Sequence, residues 1–179
     1  MALLAAEKGV HVSLQDPSEK AMDAILEQAK NAGIEKSVEK YTDYKSLCES
    51  LGSPKVFIFS LPHGNVGDTV LGGLLPYLEK GDIIIDCGNE HWENTERRQG
   101  KCVGRGIRYV GCGVSGGYQA ARRYSRFSSL TPYGILTRLY SGPSMCPGAD
   151  DETLDIVLPF LRKMAAKDKD GNPLSLIHI

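Results

Sequence analysis

Gly81-Asp82-Ile83-Ile84-Ile85-Asp86-Cys87-Gly88-Asn89 is the stretch whose reading decides the fold. Three consecutive isoleucines leave no polar alternation, so both faces of this strand are made for burial, as in a parallel sheet covered by helices on each side. It opens on a Gly-Asp turn and leaves on a polar, glycine-bearing exit. Upstream, Val56-Phe57-Ile58-Phe59-Ser60-Leu61 is a second apolar run, broken by Pro62, and Gly67 to Leu78 between the two suits a helix. Downstream, Asn94 to Cys102 reads as a helix and Ile107 to Val110 as another strand.

The same alternation extends toward the start of the chain. Ala2 to Lys8 reads as the end of a helix closed by Gly9, and Val10 to Leu14 as a short strand ending at Asp16-Pro17. Ser18 is placed to cap a helix through Ala32, stopped by Gly33. Val38 to Tyr41 suits a short strand, and Asp43 a cap for a helix through Leu51. Strands separated by helices indicate an α/β, doubly wound parallel sheet, whose ligands sit beyond the carboxyl ends of the strands. Those ends carry Asp16, Leu61-Pro62-His63-Gly64, Cys87-Gly88-Asn89 and Gly113-Val114-Ser115-Gly116-Gly117.

Composition fits one domain with a real core. The chain has 179 residues, 41% apolar and 24% charged, with net charge −1. Nothing in that balance favours nucleic acid or an anionic membrane, and no apolar run approaches the ~20 residues of a membrane span. The opening MALLAAEKG lacks the basic start of a signal peptide. Five cysteines are odd in number and without C-x-x-C spacing, which suggests reduced thiols in a cytoplasmic protein. The four histidines are dispersed, so no metal site is expected.

Two stretches break the pattern. Tyr124 to Tyr140 shows neither helical nor strand periodicity and reads as a long loop. The chain finishes on Leu174 to Ile179, an apolar tail after the turn signal Asp168 to Pro173.

Several segments carry a resemblance. Gly81 to Asn89 resembles the GDIIIDGGN segment of 6-phosphogluconate dehydrogenases, and Gly113-Val114-Ser115-Gly116-Gly117 resembles their GVSGG motif. Gly142 to Gly148 is similar to their GPS-x-MPGG continuation, and Asp151 to Lys169 to the helix that follows. The resemblance implies a Rossmann-like doubly wound sheet, with residues 1–173 forming an incomplete NAD(P)-binding domain. Residues 124–141 are then an atypical insertion and 174–179 an aberrant tail. It also implies that the first strand with its Gly-rich phosphate turn, the base Lys, and the helical C-terminal domain with its dimer interface lie outside this chain.

The activity implied is oxidative decarboxylation of 6-phosphogluconate to ribulose 5-phosphate in the pentose phosphate pathway, by a homodimer in the intact family. This chain by itself is expected to be inactive, with no catalytic residue assigned. The family pattern places Asn89 against nicotinamide and substrate, where an uncharged amide offers both donors and acceptors. It places Ser115, Gly116 and Gly117 on the substrate, and Leu61, Pro62 and His63 along the cofactor. NADP is the family's usual cofactor, bound through an Arg after the second strand. Here that position reads Asp16-Pro17-Ser18, and a carboxylate there favours the ribose of NAD over a 2′-phosphate. Alternative expectations are a β-hydroxyacid dehydrogenase of the same superfamily and a non-catalytic fragment that binds nucleotide or a partner.

Overall fold

The computed structural model describes residues 1–116, 125–131, 134–140, 142–167 and 170–173. Helix α1 (Ala2–Glu7) leads to β1 (Val12–Leu14), α2 (Glu19–Asn31), a 3-10 turn and β2 (Val38–Lys40). Then come α3 (Tyr44–Glu49), β3 (Val56–Phe59), α4 (Asn65–Leu74), a second 3-10 turn and β4 (Ile83–Asp86). The order continues with α5 (Trp92–Val103), β5 (Arg108–Ser115), β6 (Ser125–Thr131), β7 (Gly134–Tyr140), β8 (Ser144–Gly148) and α6 (Asp151–Met164). The caps read from sequence are made: Ser18 accepts from the Ala21 amide and Asp43 from the Ser46 amide. Each satisfies an orphan donor of a first turn.

Strands β3, β4 and β5 pair in parallel, with Ile83, Ile84 and Ile85 opposite Val56, Phe57 and Ile58 on one side and Arg108, Tyr109 and Val110 on the other. All three isoleucines are buried, as their run demands. Ile83 and Ile85 face α1 and α6, in a core with Leu4, Val110, Met145, Leu158 and Leu161. Ile84 faces α3, α4 and α5, with Leu47, Phe59, Leu71, Cys102 and Tyr109. Two such cores on one sheet are the physical content of a doubly wound fold.

β1 and β2 form a separate parallel pair. Between β1 and β3 no hydrogen-bonded strand lies among the described residues. Val12 and Ile58 nevertheless pack on the same core.

Three expectations are corrected. β5 runs past Val110 to Ser115, because β8 pairs with it antiparallel from Gly111–Gly148 to Ser115–Ser144. The GPS-like segment is therefore an edge strand, whose hydrogen bonds hold Gly111 to Ser115 extended. Tyr124 to Tyr140 is not a loop throughout, since β6 and β7 form an antiparallel hairpin from Ser125–Tyr140 to Thr131–Gly134. Its Phe, Thr, Ile, Leu and Tyr content has strand propensity without the alternation that marks a half-buried face. Leu61 lies beyond β3, which stops at Phe59. The turn signal near the end fits an antiparallel bridge between Lys167 and Pro173, and Leu174 to Ile179 lie outside the described residues. Among the described residues no helix is long and apolar enough to cross a membrane.

Candidate functional site

The loops leaving β3 and β4 and the last residues of β5 are laced together where a doubly wound sheet offers its ligand crevice. Asn89 is held by two bonds to one residue of the neighbouring strand: its Nδ2 donates to the Val114 carbonyl (2.9 Å) and its Oδ1 accepts from the Val114 amide (2.8 Å). It adopts a positive φ of 52°, which among non-glycine residues Asn tolerates best. These two bonds leave the amide one N–H and one lone pair for a ligand. Ser115 and Gly116 follow directly, both exposed, and Gly116 has φ 120°, a conformation open to glycine.

Beneath this clasp lies a charged hub that the sequence reading did not single out. Arg98 of α5 is 1% exposed. Its Nη1 donates to Asp86 (3.2 Å) and Glu90 (3.0 Å), its Nη2 to the Gly64 carbonyl (2.6 Å) and Asp68 (3.0 Å). The carboxylates in turn hold backbone. Glu90 accepts from the Gly64 and His91 amides, and Asp86 from the Gly88 amide and the Tyr109 hydroxyl. Arg97 and Lys101 complete the neutralisation of Asp68. The loop after β3 is thus tied to the loop after β4 through one guanidinium, whose planar fork serves several directions at once.

The titration behaviour follows. Burial pushes Glu90 up, but hydrogen bonds from Asn94, His91, Gly64 and Arg98 outweigh it and bring it down to about 2. The Arg97 hydrogen bond, aided by Lys101 and Arg98, holds Asp68 well below the usual carboxylate range. Burial and the Asp86 carboxylate push the Tyr109 hydroxyl far up, so it stays a donor. Room for the guanidinium comes from Gly67 of α4, where an added Cβ would stand 2.5 Å from Arg98 Cζ.

The structure brings Asn89, Ser115 and Gly116 to one end of β4 and β5, and the Leu61-Pro62-His63 loop to the same end of β3. Pro62 and His63 are exposed and Leu61 half-buried. Gly117 lies outside the described residues. Asp16 follows β1, which among the described residues pairs only with β2; its Oδ1 accepts from the Ser18 amide at 2.7 Å, so one oxygen serves the turn before α2. The signal for the hub was present in the sequence: Asp86 ends a strand that is otherwise isoleucine, and a carboxylate buried there needs a cation.

Comparison with known proteins matches this architecture. Residues 1–126 fit the family model described as the NAD binding domain of 6-phosphogluconate dehydrogenase. The chain belongs to that family. A decarboxylating 6-phosphogluconate dehydrogenase of Emericella nidulans is 40% identical over 177 residues, covering 97% of the chain and 32% of the relative. A second such enzyme, from Arabidopsis thaliana, is 35% identical over 173 residues. The chain spans about a third of the length of these curated relatives.

Among solved structures, the 6-phosphogluconate dehydrogenase of Plasmodium falciparum superposes with a TM-score of 0.79 at 28% identity, over 96% of the chain and 32% of its own length. That enzyme is described with its cofactor NADP+ and with its substrate 6-phosphogluconate. A 3-hydroxyisobutyrate dehydrogenase of Mycobacterium tuberculosis shares the fold, with a TM-score of 0.69 at 20% identity. The hydroxyacid dehydrogenases are therefore the more distant reading. As a member of the 6-phosphogluconate dehydrogenase family, the chain carries a Rossmann-like NAD-binding domain.

Proposed function

We propose that this chain is the nucleotide-binding part of a decarboxylating 6-phosphogluconate dehydrogenase, holding a nicotinamide dinucleotide along the ends of β3, β4 and β5. The observation that carries the reading is the Asn89–Val114 clasp, which sets an incompletely used amide beside Ser115 and Gly116. The residues suit the group. A neutral amide, a hydroxyl and exposed backbone can bond a carboxamide and sugar hydroxyls without burying a charge. When bound, the cofactor supplies the hydride acceptor; the protein's own part is to orient it and the 6-phosphogluconate. Leu61, Pro62 and His63 contribute shape and backbone along the dinucleotide, while Ser115, Gly116 and Gly117 approach the sugar. In the whole enzyme this serves the pentose phosphate pathway in the cytoplasm, and assembly is as a homodimer.

Asp16 bears on which dinucleotide is taken. An exposed carboxylate repels a 2′-phosphate and accepts from ribose hydroxyls, which weighs toward NAD, whereas the Plasmodium relative is described with NADP+. Titration of the full chain with NADH and NADPH, followed by quenching of Trp92, its sole tryptophan, tests the reading. Saturable binding is expected, and Asp16→Asn should improve NADPH affinity more than NADH affinity. Absence of saturable binding by either dinucleotide would overturn the reading. The isolated chain is expected to form no NADPH from 6-phosphogluconate; turnover that scales with its concentration would contradict the assignment of a binding part alone.

A further inference from the structure

The five cysteines do not have equal surroundings. Cys48 and Cys102 lie in the core against α3, α4 and α5, where burial raises both thiols, that of Cys102 to about 11. Cys87 and Cys112 lie together in the opposite core, on neighbouring strands. Asp86 pairs with Gly111 in parallel register, so the next residues, Cys87 and Cys112, stand side by side. The Cys87 amide still donates to the Phe59 carbonyl of β3, so the backbone of β4 runs on in the sheet through Cys87. Cys146 pairs with Gly113, whose side-chain position faces away from Cys112, and so lies on the other face of the sheet.

We propose that Cys87 and Cys112 are a site of reversible oxidation by a peroxide, closing a disulfide at the base of the Asn89–Val114 clasp. Neighbouring strands run about 4.8 Å apart, within the Cα separation of roughly 4.4–6.8 Å that a disulfide accepts. The chemistry favours Cys112 as the attacking sulfur. It receives a hydrogen bond from the Cys87 thiol and, against the effect of burial, another from the Cys146 amide, which together lower its pKa. The same contact with Cys112, followed by burial, pushes Cys87 up and keeps it protonated. Cys87 retains 9% of its surface and stands just beyond the last residue of β4.

The Cys112 thiolate attacks one peroxide oxygen and breaks the O–O bond. This gives a sulfenic acid, and the departing hydroxide takes a proton to become water. The Cys87 sulfur then attacks the sulfenic sulfur, the S–O bond breaks, and its own proton leaves in a second water. Two thiols are oxidised and one peroxide is reduced to two waters. A disulfide needs its Cβ atoms about 3.8 Å apart, so closure draws β4 and β5 together by roughly 1 Å against the usual strand spacing. Asn89 and Val114 lie two residues beyond the two sulfurs, so the clasp moves with them.

The test oxidises the reduced full chain with hydrogen peroxide, blocks remaining thiols, and maps tryptic peptides. Expected is a Cys87–Cys112 cross-linked peptide, two hydrogen masses lighter than its parts and reversed by dithiothreitol, with Cys102 unmodified. Cys87→Ser, which keeps a hydrogen-bond donor beside Cys112, should abolish the cross-link and leave a Cys112 sulfenic acid trappable by dimedone. Recovery of both residues as free thiols at a dose that oxidises Cys146 would overturn the proposal. So would linkage to Cys146, or direct conversion to sulfinic acid.

The consequence for binding rests on the dinucleotide reading: oxidised chain should bind NADPH several-fold more weakly than reduced chain. Failure of the reduced chain to bind would sink that reading, while failure to cross-link would sink this one.

Discussion

Two buried cations stand at opposite ends of the same strands. At the amino ends of β3 and β4, Asp82 is fully buried and accepts from the Lys55 and Glu79 amides, while Lys55 Nζ reaches Asp82 at 3.3 Å and Glu79 at 3.1 Å. At the carboxyl ends, Arg98 meets three carboxylates and a carbonyl, and those carboxylates hold the loops around the candidate site. Both ends bear the cost of desolvating charge. The first uses it to close a turn on itself, with an ammonium acting as a point charge. The second uses a planar fork to tie separate loops into one surface. The difference teaches where the fold spends its polar interior on stability and where it spends it on shaping a ligand crevice.

Breaking the two ends separately should separate those purposes. Arg98→Met leaves Asp86 and Glu90 buried without their cation, and should cost about 3–5 kcal/mol in urea unfolding. The protein that remains folded should have lost dinucleotide affinity. A variant that melts early yet binds NADPH as tightly as the parent would deny the hub any part in shaping the loops.

Asp82→Asn at the other end keeps an acceptor but loses the charge facing Lys55. A cost of about 1–3 kcal/mol is expected, with NADPH affinity unchanged once folded. A drop in affinity here would mean that the two ends are not independent.

The smallest effect is on the acid limb. Glu90 falls from 4.5 to about 2 in the folded state, so its stabilising contribution is complete above pH 4.5. It is lost as pH drops from there through about 2, because the unfolded chain takes up the proton first. Glu90→Gln should flatten thermal stability across that window and leave the curve above it parallel to the parent. An unaltered acid limb would show that the carboxylate is not held as described.

Much of this was legible in advance. The Ile83-Ile84-Ile85 run announced a strand covered on both faces, and Ser18 and Asp43 announced their caps, because these signals act within a few residues. Asn89 and Ser115 drew attention through the company they keep in the chain, although that did not reveal the two bonds from Asn89 to Val114, whose partners are 25 positions apart. The hub was not read at all. Arg98 sits on a helix of charged residues, and nothing local distinguishes it from Arg97, which remains 45% exposed. Its burial depends on Gly67 giving way on another helix. The hairpin of β6 and β7 was missed for a related reason: strand pairing is a property of two segments, and neither segment alternates.

By itself, then, the sequence determined the α/β class, the order of elements and the ends of strands where a ligand would be met. Periodicity, caps and turn residues are local, and backbone sterics convert them directly into structure. Only the tertiary structure decided which charges became interior, how the loops were fastened to one another, and which two of five cysteines stand side by side. Those outcomes depend on strand register and on the packing of helices over the sheet, which bring together groups that no local pattern relates.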